Sequence, residues 1–359
     1  MTALSDFIRP EIQAMTAYRV ADLPEGFIKL DAMESPYHPF AGAPELVGEW
    51  QRLLADAPIH LYPNPATSGL QDALRQAFHI PQEAKIALGN GSDELIQLLT
   101  MLVAKPKATM LAVEPSFVMY KHNARLFGMQ YAGVPLNGDF TLNMPELLEA
   151  VEWHNPALVF IAYPNNPTGV CFKREEVEAV IEAAKGIVVV DEAYGAFSRD
   201  SFLPQAGSIE NLVVMRTVSK IGFAGLRIGY ASGYAAVIDE LAKIVPPYNM
   251  NQLSLVTATF ALQHAERIEE TTAKLKDERE RVFAGLSAIG RLKAFPSDAN
   301  FITVRVPDAQ ELFDTLKQNK ILIKNLHGVH PLLDQCVRIT VGSPEENDAV
   351  LKVIRALYR

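Results

Sequence analysis

The chain has 359 residues, 49% of them hydrophobic and 21% charged, with a formal net charge of −9. That length and apolar content predict a globular protein of about two domains, and the acidic balance excludes nucleic acid or an anionic membrane as the main partner, since either demands a basic face. The two cysteines, Cys171 and Cys336, lie far apart and outside any C-x-x-C or metal-ligand spacing, which excludes a disulfide scaffold and a metal site built on them.

In chain order, the opening "MTALSDFIRPEIQAM" is acidic early and lacks an apolar h-region, and no run is long enough to cross a bilayer; the expected location is the cytoplasm. Residues 1–40 are expected to form an N-terminal arm. Strand-like runs then alternate with helical patterns up to about residue 245, the signature of an α/β domain with a mostly parallel sheet flanked by helices. The runs are "ATMLAV" (108–113), "ALVFIAY" (157–163), "GIVVVDEAY" (186–194), "NLVVMRT" (211–217) and "RIGYASG" (227–233). Most are apolar throughout, as strands covered on both faces are. Between them, "REEVEAVIEAAK" (174–185) sets Val177, Val180 and Ile181 on one helical face.

The breaker-rich "PPYNMNQ" (246–252) marks a joint, giving a large domain over 41–245 and a small C-terminal α+β domain over 246–359. In the small domain a charged helix is expected over 269–286, its charge run facing solvent. Strands are expected at "NFITVRV" (300–306), "ILIKNL" (321–326) and "CVRITVG" (336–342). The last helix opens on a capping box, Ser343 to Glu346, with Pro344 at its first position. Arg338 alternates with Val337 and Ile339 and on pattern alone would face solvent.

Four segments follow strands or turns and carry chemical groups. "GNGSDELIQLL" (89–99) pairs a glycine turn with a helix expected to start at Asp93, capped by Ser92. Such a helix end can hold a phosphate, although a plain capped turn explains the residues as well. Glu94 stands where a dinucleotide fingerprint needs its third glycine, and no Walker lysine follows. "YPNNPTG" (163–169) offers Asn165 and Asn166 in a turn. Asp191 and Glu192 end the most apolar strand, at the edge where open α/β sheets bind ligands, and a buried carboxylate there needs a partner such as a cationic ring nitrogen. Lys220, in "RTVSKIGFAGLR" (216–227), sits where partial desolvation beside other cations would free its amine to form a Schiff base.

The run "GNGSDE", "YPNNPTG", "DEAY" and "SKIGFAGLRIGY" resembles the fold-type-I pyridoxal-phosphate aminotransferases. Within them "KLDAMESPY" (29–37), "LYPNP" (61–65), "EPSFVMY" (114–120), "ILIKNLHG" (321–328) and "VRITVGSPEEN" (337–347) are most similar to the histidinol-phosphate aminotransferase family, over essentially the whole chain. The resemblance implies that Lys220 carries pyridoxal 5'-phosphate covalently and shuttles a proton. It implies that Asp191 pairs with the ring nitrogen, that Tyr194 and Asn166 bond the ring oxygen, and that Phe117 lies on the ring face where many relatives carry tyrosine. The phosphate would be met at Ser92, Asp93, Thr217, Ser219 and Arg227, with Tyr62 reaching over from the second subunit of a homodimer. Arg338, Tyr18 and Lys324 would bind substrate; Lys324 stands where many relatives have arginine, and Met33 where asparagine is frequent.

The implied activity is amino exchange between glutamate/2-oxoglutarate and imidazole-acetol phosphate/L-histidinol phosphate, in histidine biosynthesis. Two other enzymes fit the motifs, an aromatic amino acid aminotransferase of the same subfamily and a threonine-phosphate decarboxylase. A binding protein that kept the fold and lost catalysis fits less well, because Lys220, Asp191, Asn166, Tyr194 and Arg227 are all present.

Overall fold

A computed structural model describes residues 4–17, 25–63 and 68–359. In chain order its strands are β1 (Ile28–Lys29), β2 (Lys85–Gly89), β3 (Thr109–Glu114), β4 (Gln130–Pro135), β5 (Leu158–Ala162), β6 (Ile187–Asp191), β7 (Leu212–Thr217), β8 (Gly229–Gly233), β9 (Lys293–Ala294), β10 (Phe301–Arg305), β11 (Ile321–Leu322), β12 (Lys324–Asn325) and β13 (Cys336–Thr340). A seven-stranded sheet has the order β2-β8-β7-β6-β5-β3-β4. Only β8 runs against its neighbours, so the carboxyl ends of the other strands reach one edge together.

The apolar runs lie in this sheet because each of its faces is covered. Val188, Val190, Val159 and Ile161 pack into one hydrophobic cluster, whereas Val189, Leu158 and Phe160 pack into the other. Side chains alternate along a strand, so a strand buried on both faces carries no polar alternation. The crossover helix Arg174–Ala183 buries Val177, Val180 and Ile181, the face its spacing predicts. It ends two residues before the expected boundary. Gly186 runs hard against the backbone of Pro156 and Ala157, so the chain must straighten early to enter β6.

The antiparallel order β12-β13-β10-β9 makes a four-stranded sheet, while β1 pairs in parallel with β11. "ILIKNL" is therefore two short strands and not one: Ile321 and Leu322 pair with Ile28 and Lys29, and Lys324 and Asn325 pair with Arg338 and Val337. The pattern cannot show this, because the switch is made by a partner almost three hundred residues away in sequence. The closing helix Pro344–Leu357 has its capping box: Ser343 Oγ accepts the Glu346 N–H at 3.3 Å, and the Glu346 carboxylate accepts the Ser343 N–H at 2.8 Å.

The long helix spans Ala265–Ser287, and its charge run is not wholly solvated. Arg279 is buried and donates to the carbonyls of Phe197 and Ala299, each at 3.2 Å. It ties the helix to segments of both sheet regions. Among the described residues no helix is long and apolar enough to cross a membrane, and no group of acidic, histidine or cysteine side chains is placed to hold a metal ion.

Candidate active site

Beyond the common strand edge lies a cavity of about 500 Å³. It is lined from separate strand ends: Ser92 and Asp93 after β2, Phe117 and Tyr120 after β3, Asn166 after β5, Asp191 at the end of β6 with Tyr194 after it, and Thr217 at the end of β7 with Ser219 and Lys220 after it. Arg227, just before β8, joins the lining, and Lys29 with Ala32 to Glu34 forms the opposite wall. A parallel sheet makes this gathering unavoidable, since each strand delivers its next residues to the same edge.

Lys220 sits in a short turn, Ser219–Ile221, closed by Gly222 at φ +105°, a conformation that favours glycine. Its Nζ donates to the Ala32 carbonyl at 3.1 Å and lies 5.9 Å from the centre of the Tyr194 ring. Burial, and then the nearby Arg338 and Arg227 charges, push its pKa down to about 8, against the opposing pull of Glu34 and Asp93. In the cofactor-free protein, labelling of Lys220 by an amine-selective acylating reagent should therefore rise through about pH 8 and level off above it. A midpoint near the ordinary lysine value of about 10.4 would contradict the electrostatic reading.

Asp191 is 4% exposed at the end of β6. Its Oδ2 accepts the Tyr120 hydroxyl at 2.6 Å and its Oδ1 the Ala193 N–H at 3.0 Å. Burial raises its pKa to about 6; the two hydrogen bonds pull against burial, and Asp93 and Glu192 add to it. Glu192, one residue on, points elsewhere: Arg216 donates to it at 2.7 Å and Ser201 at 2.8 Å. Strand alternation separates the two carboxylates.

Asn166 donates to the Tyr194 hydroxyl at 3.2 Å, and burial pushes the Tyr194 phenol up. Arg338 does not face solvent. It is buried, donating to Asn166 Oδ1 at 2.5 Å and to the Asp31 carbonyl at 2.9 Å, with its guanidinium 5.3 Å from the centre of the Phe301 ring. Alternation misleads here because β13 is an interior strand, between β12 and β10, and all five of its residues are buried.

Near Arg227 the backbone is closely packed. Its guanidinium lies over Gly91 and leaves no room for a side chain there, and a Cβ on Gly229 would sit 2.7 Å from the Ser92 nitrogen. Arg227 Nη2 is 3.4 Å from Asp93 Oδ2. Thr217 Oγ1 and Ser219 Oγ stand 2.9 Å apart. The helix begins at Ser92, with Gly91 as the N-cap at φ +81° and no capping bond from a side chain. The expectation that Ser92 caps is thus corrected: glycine makes the turn, and Ser92 and Asp93 supply first-turn N–H groups that have no acceptor within the helix.

Three expected residues lie outside this group. Tyr62 is 80% exposed and stacks on Tyr248, ring centres 4.6 Å apart. Lys324 is exposed and does not line the cavity, although it is the register partner of Arg338 and so shares its sheet face. Tyr18 falls outside the described residues. The sequence reading gave no role to Tyr120, or to the segment Ala32 to Glu34 that forms the opposite wall. Tyr120 had a signal in its spacing, three positions after Phe117, which is the N-cap of the helix Val118–Leu126.

The pattern of the family described as aminotransferase class I and II matches residues 27–354. A histidinol-phosphate aminotransferase of Neisseria meningitidis serogroup C is 72% identical over 358 residues, covering 100% of this chain and 98% of that one. One from Chromobacterium violaceum is 53% identical, with 99% of each chain covered. Among solved structures, histidinol-phosphate aminotransferase from Sinorhizobium meliloti in complex with pyridoxal-5'-phosphate superposes with a TM-score of 0.86 at 27% identity, with 99% of each chain covered.

Proposed function

The chain belongs to the aminotransferase class I and II family, and from that premise we infer that it is a pyridoxal-phosphate-dependent transaminase. It moves an amino group between L-histidinol phosphate/imidazole-acetol phosphate and glutamate/2-oxoglutarate, a step of histidine biosynthesis, as the similar enzymes' names indicate. The observation that carries the reading is the convergence on one cavity of a lysine with a depressed pKa, a buried carboxylate and an arginine beside a helix N-terminus.

The residues fit the cofactor. The Arg227 guanidinium over Gly91 and the backbone against Gly229 leave no room for side chains there, so N–H groups and Arg227 are left to meet a phosphate. When bound, pyridoxal phosphate supplies an aldehyde for amine capture and a ring that accepts electrons.

The division of labour we propose follows from position. Lys220 provides the capturing amine and then holds and moves the proton at the substrate α-carbon, a dual use its depressed pKa supports. Asp191 keeps the ring nitrogen protonated, while Asn166 and Tyr194 bond the ring oxygen. Phe117 covers the ring face by stacking. Ser92, Asp93, Thr217, Ser219 and Arg227 hold the cofactor phosphate. Arg338 grips the substrate anion, and Lys324 beside it, with Tyr18, supplies charge and a hydroxyl toward the substrate phosphate.

The exposed Tyr62, with Ile59 and Leu61 exposed nearby, supports a face covered by a second copy in a homodimer with shared active sites. The same reading keeps the arm at 1–40, the large domain at 41–245 and the small domain at 246–359, in a protein of the cytoplasm.

Comparing kcat/KM for L-histidinol phosphate and phenylalanine, with 2-oxoglutarate as acceptor, tests the substrate assignment. The expected preference for histidinol phosphate is about 10³-fold or more, since a site built for a charged group leaves it unpaired with the analogue. A reversed preference makes the protein an aromatic aminotransferase, and release of carbon dioxide from threonine phosphate makes it a decarboxylase.

A further inference from the structure

The Asp191 carboxylate is held in surroundings that favour its neutral form. It is almost fully buried, and the charges that add to burial, those of Asp93 and Glu192, are both acidic; Tyr194 adds a buried phenol. Two donors oppose this. One is the Ala193 N–H, a fixed part of the backbone; the other is the Tyr120 hydroxyl, from the helix Val118–Leu126.

Tyr120 is built for one hydrogen bond. Its side chain is fully buried, its ring stacks on Phe160 of β5 with centres 4.4 Å apart, and Phe117 meets its edge at 5.7 Å. Sealed in this way, the hydroxyl has Asp191 Oδ2 as its acceptor, at 2.6 Å. A phenol bonded to an ionised carboxylate lowers the basicity of that carboxylate.

We propose that Tyr120 is a positioning residue for the reaction, whose hydroxyl holds Asp191 ionised so that the proton shared with the cofactor ring stays on the ring nitrogen. The inference rests on the reading of Asp191 as the ring-nitrogen partner. Without the phenol, Oδ2 becomes the stronger base and takes that proton: the N–H bond lengthens and breaks as the O–H bond forms, leaving a neutral ring beside a neutral acid. A ring without its positive charge draws electrons less strongly.

The test uses holoenzyme carrying pyridoxal phosphate labelled with ¹⁵N in the ring, in wild-type protein and in Tyr120→Phe, Tyr120→Leu, Asp191→Asn and the Tyr120→Phe/Asp191→Asn double variant. Tyr120→Phe keeps the stacking ring and removes only the hydroxyl. Its ring ¹⁵N resonance should move toward that of neutral pyridine, and its single-turnover rate with glutamate should fall about tenfold, the size of one charge-assisted hydrogen bond. In the double variant the cofactor dissociation constant should match that of Asp191→Asn alone, because the hydroxyl acts only through the carboxylate. A wild-type resonance and rate in Tyr120→Phe, with loss confined to Tyr120→Leu, reduces Tyr120 to packing and overturns the proposal. If Asp191→Asn itself leaves the resonance and the affinity unchanged, the reading of Asp191 fails instead.

Discussion

Lys220→Ala should lower turnover by about 10⁴-fold or more, because in the proposed roles one change removes both a covalent anchor and a general base. The structure explains why no neighbour takes over. Lys29, the other lysine lining the cavity, is held by Glu34 at 2.6 Å and Asp31 at 3.4 Å, and its pKa is raised. A lysine in an ion pair keeps its proton and is a poor nucleophile. The fold should survive the substitution, since Lys220 gives up one hydrogen bond, to Ala32, beside an open cavity. Thermal unfolding and single-turnover kinetics measured together check both halves; more than a tenth of the wild-type rate in a folded variant would refute the role.

Asp191→Asn should cost about 10²–10³-fold in turnover, the usual loss when a fixed charge aimed at the reacting group is removed. Asparagine has nearly the same shape but a single acceptor oxygen, so it can keep the Ala193 N–H bond while its NH2 group turns to the Tyr120 oxygen as a donor, and the loss reports the charge together with one reversed hydrogen bond. The sign of the pH dependence follows from the raised pKa: the carboxylate is ionised above about pH 6 and neutral below it. Cofactor affinity of the wild-type protein should therefore weaken as pH falls through about 6, while that of Asp191→Asn stays flat across the same range. An affinity that falls equally in both would assign the acid limb to another group.

Much of the framework was legible because its causes are local. β5, β6 and β7 were visible as apolar runs, and the cavity-lining side chains behind them followed from where those runs stop, at Asp191 and a few residues before Lys220. The less legible parts depend on distant partners. Arg338 reads as a surface residue until β13 is seen to lie between two strands and its side chain is seen to reach Asn166. Asp191 and Glu192 read as a pair, yet strand alternation turns Glu192 toward Arg216 and away from the cavity. Tyr120 stands only three positions after Phe117, but its bond to Asp191 joins residues seventy-one apart in sequence. Ser92 reads as the cap from its residue type, but the helix starts one residue earlier and takes Gly91, at φ +81°, as its N-cap.

The central claim is that Lys220 is the cofactor-bearing amine at the gathered strand ends. Borohydride reduction of the holoenzyme, followed by mass-spectrometric mapping, tests it most directly. The account predicts a pyridoxyl adduct on the peptide containing Lys220 and on no other lysine peptide. An adduct on Lys29 or elsewhere, or protein that takes up no pyridoxal phosphate at all, would contradict it.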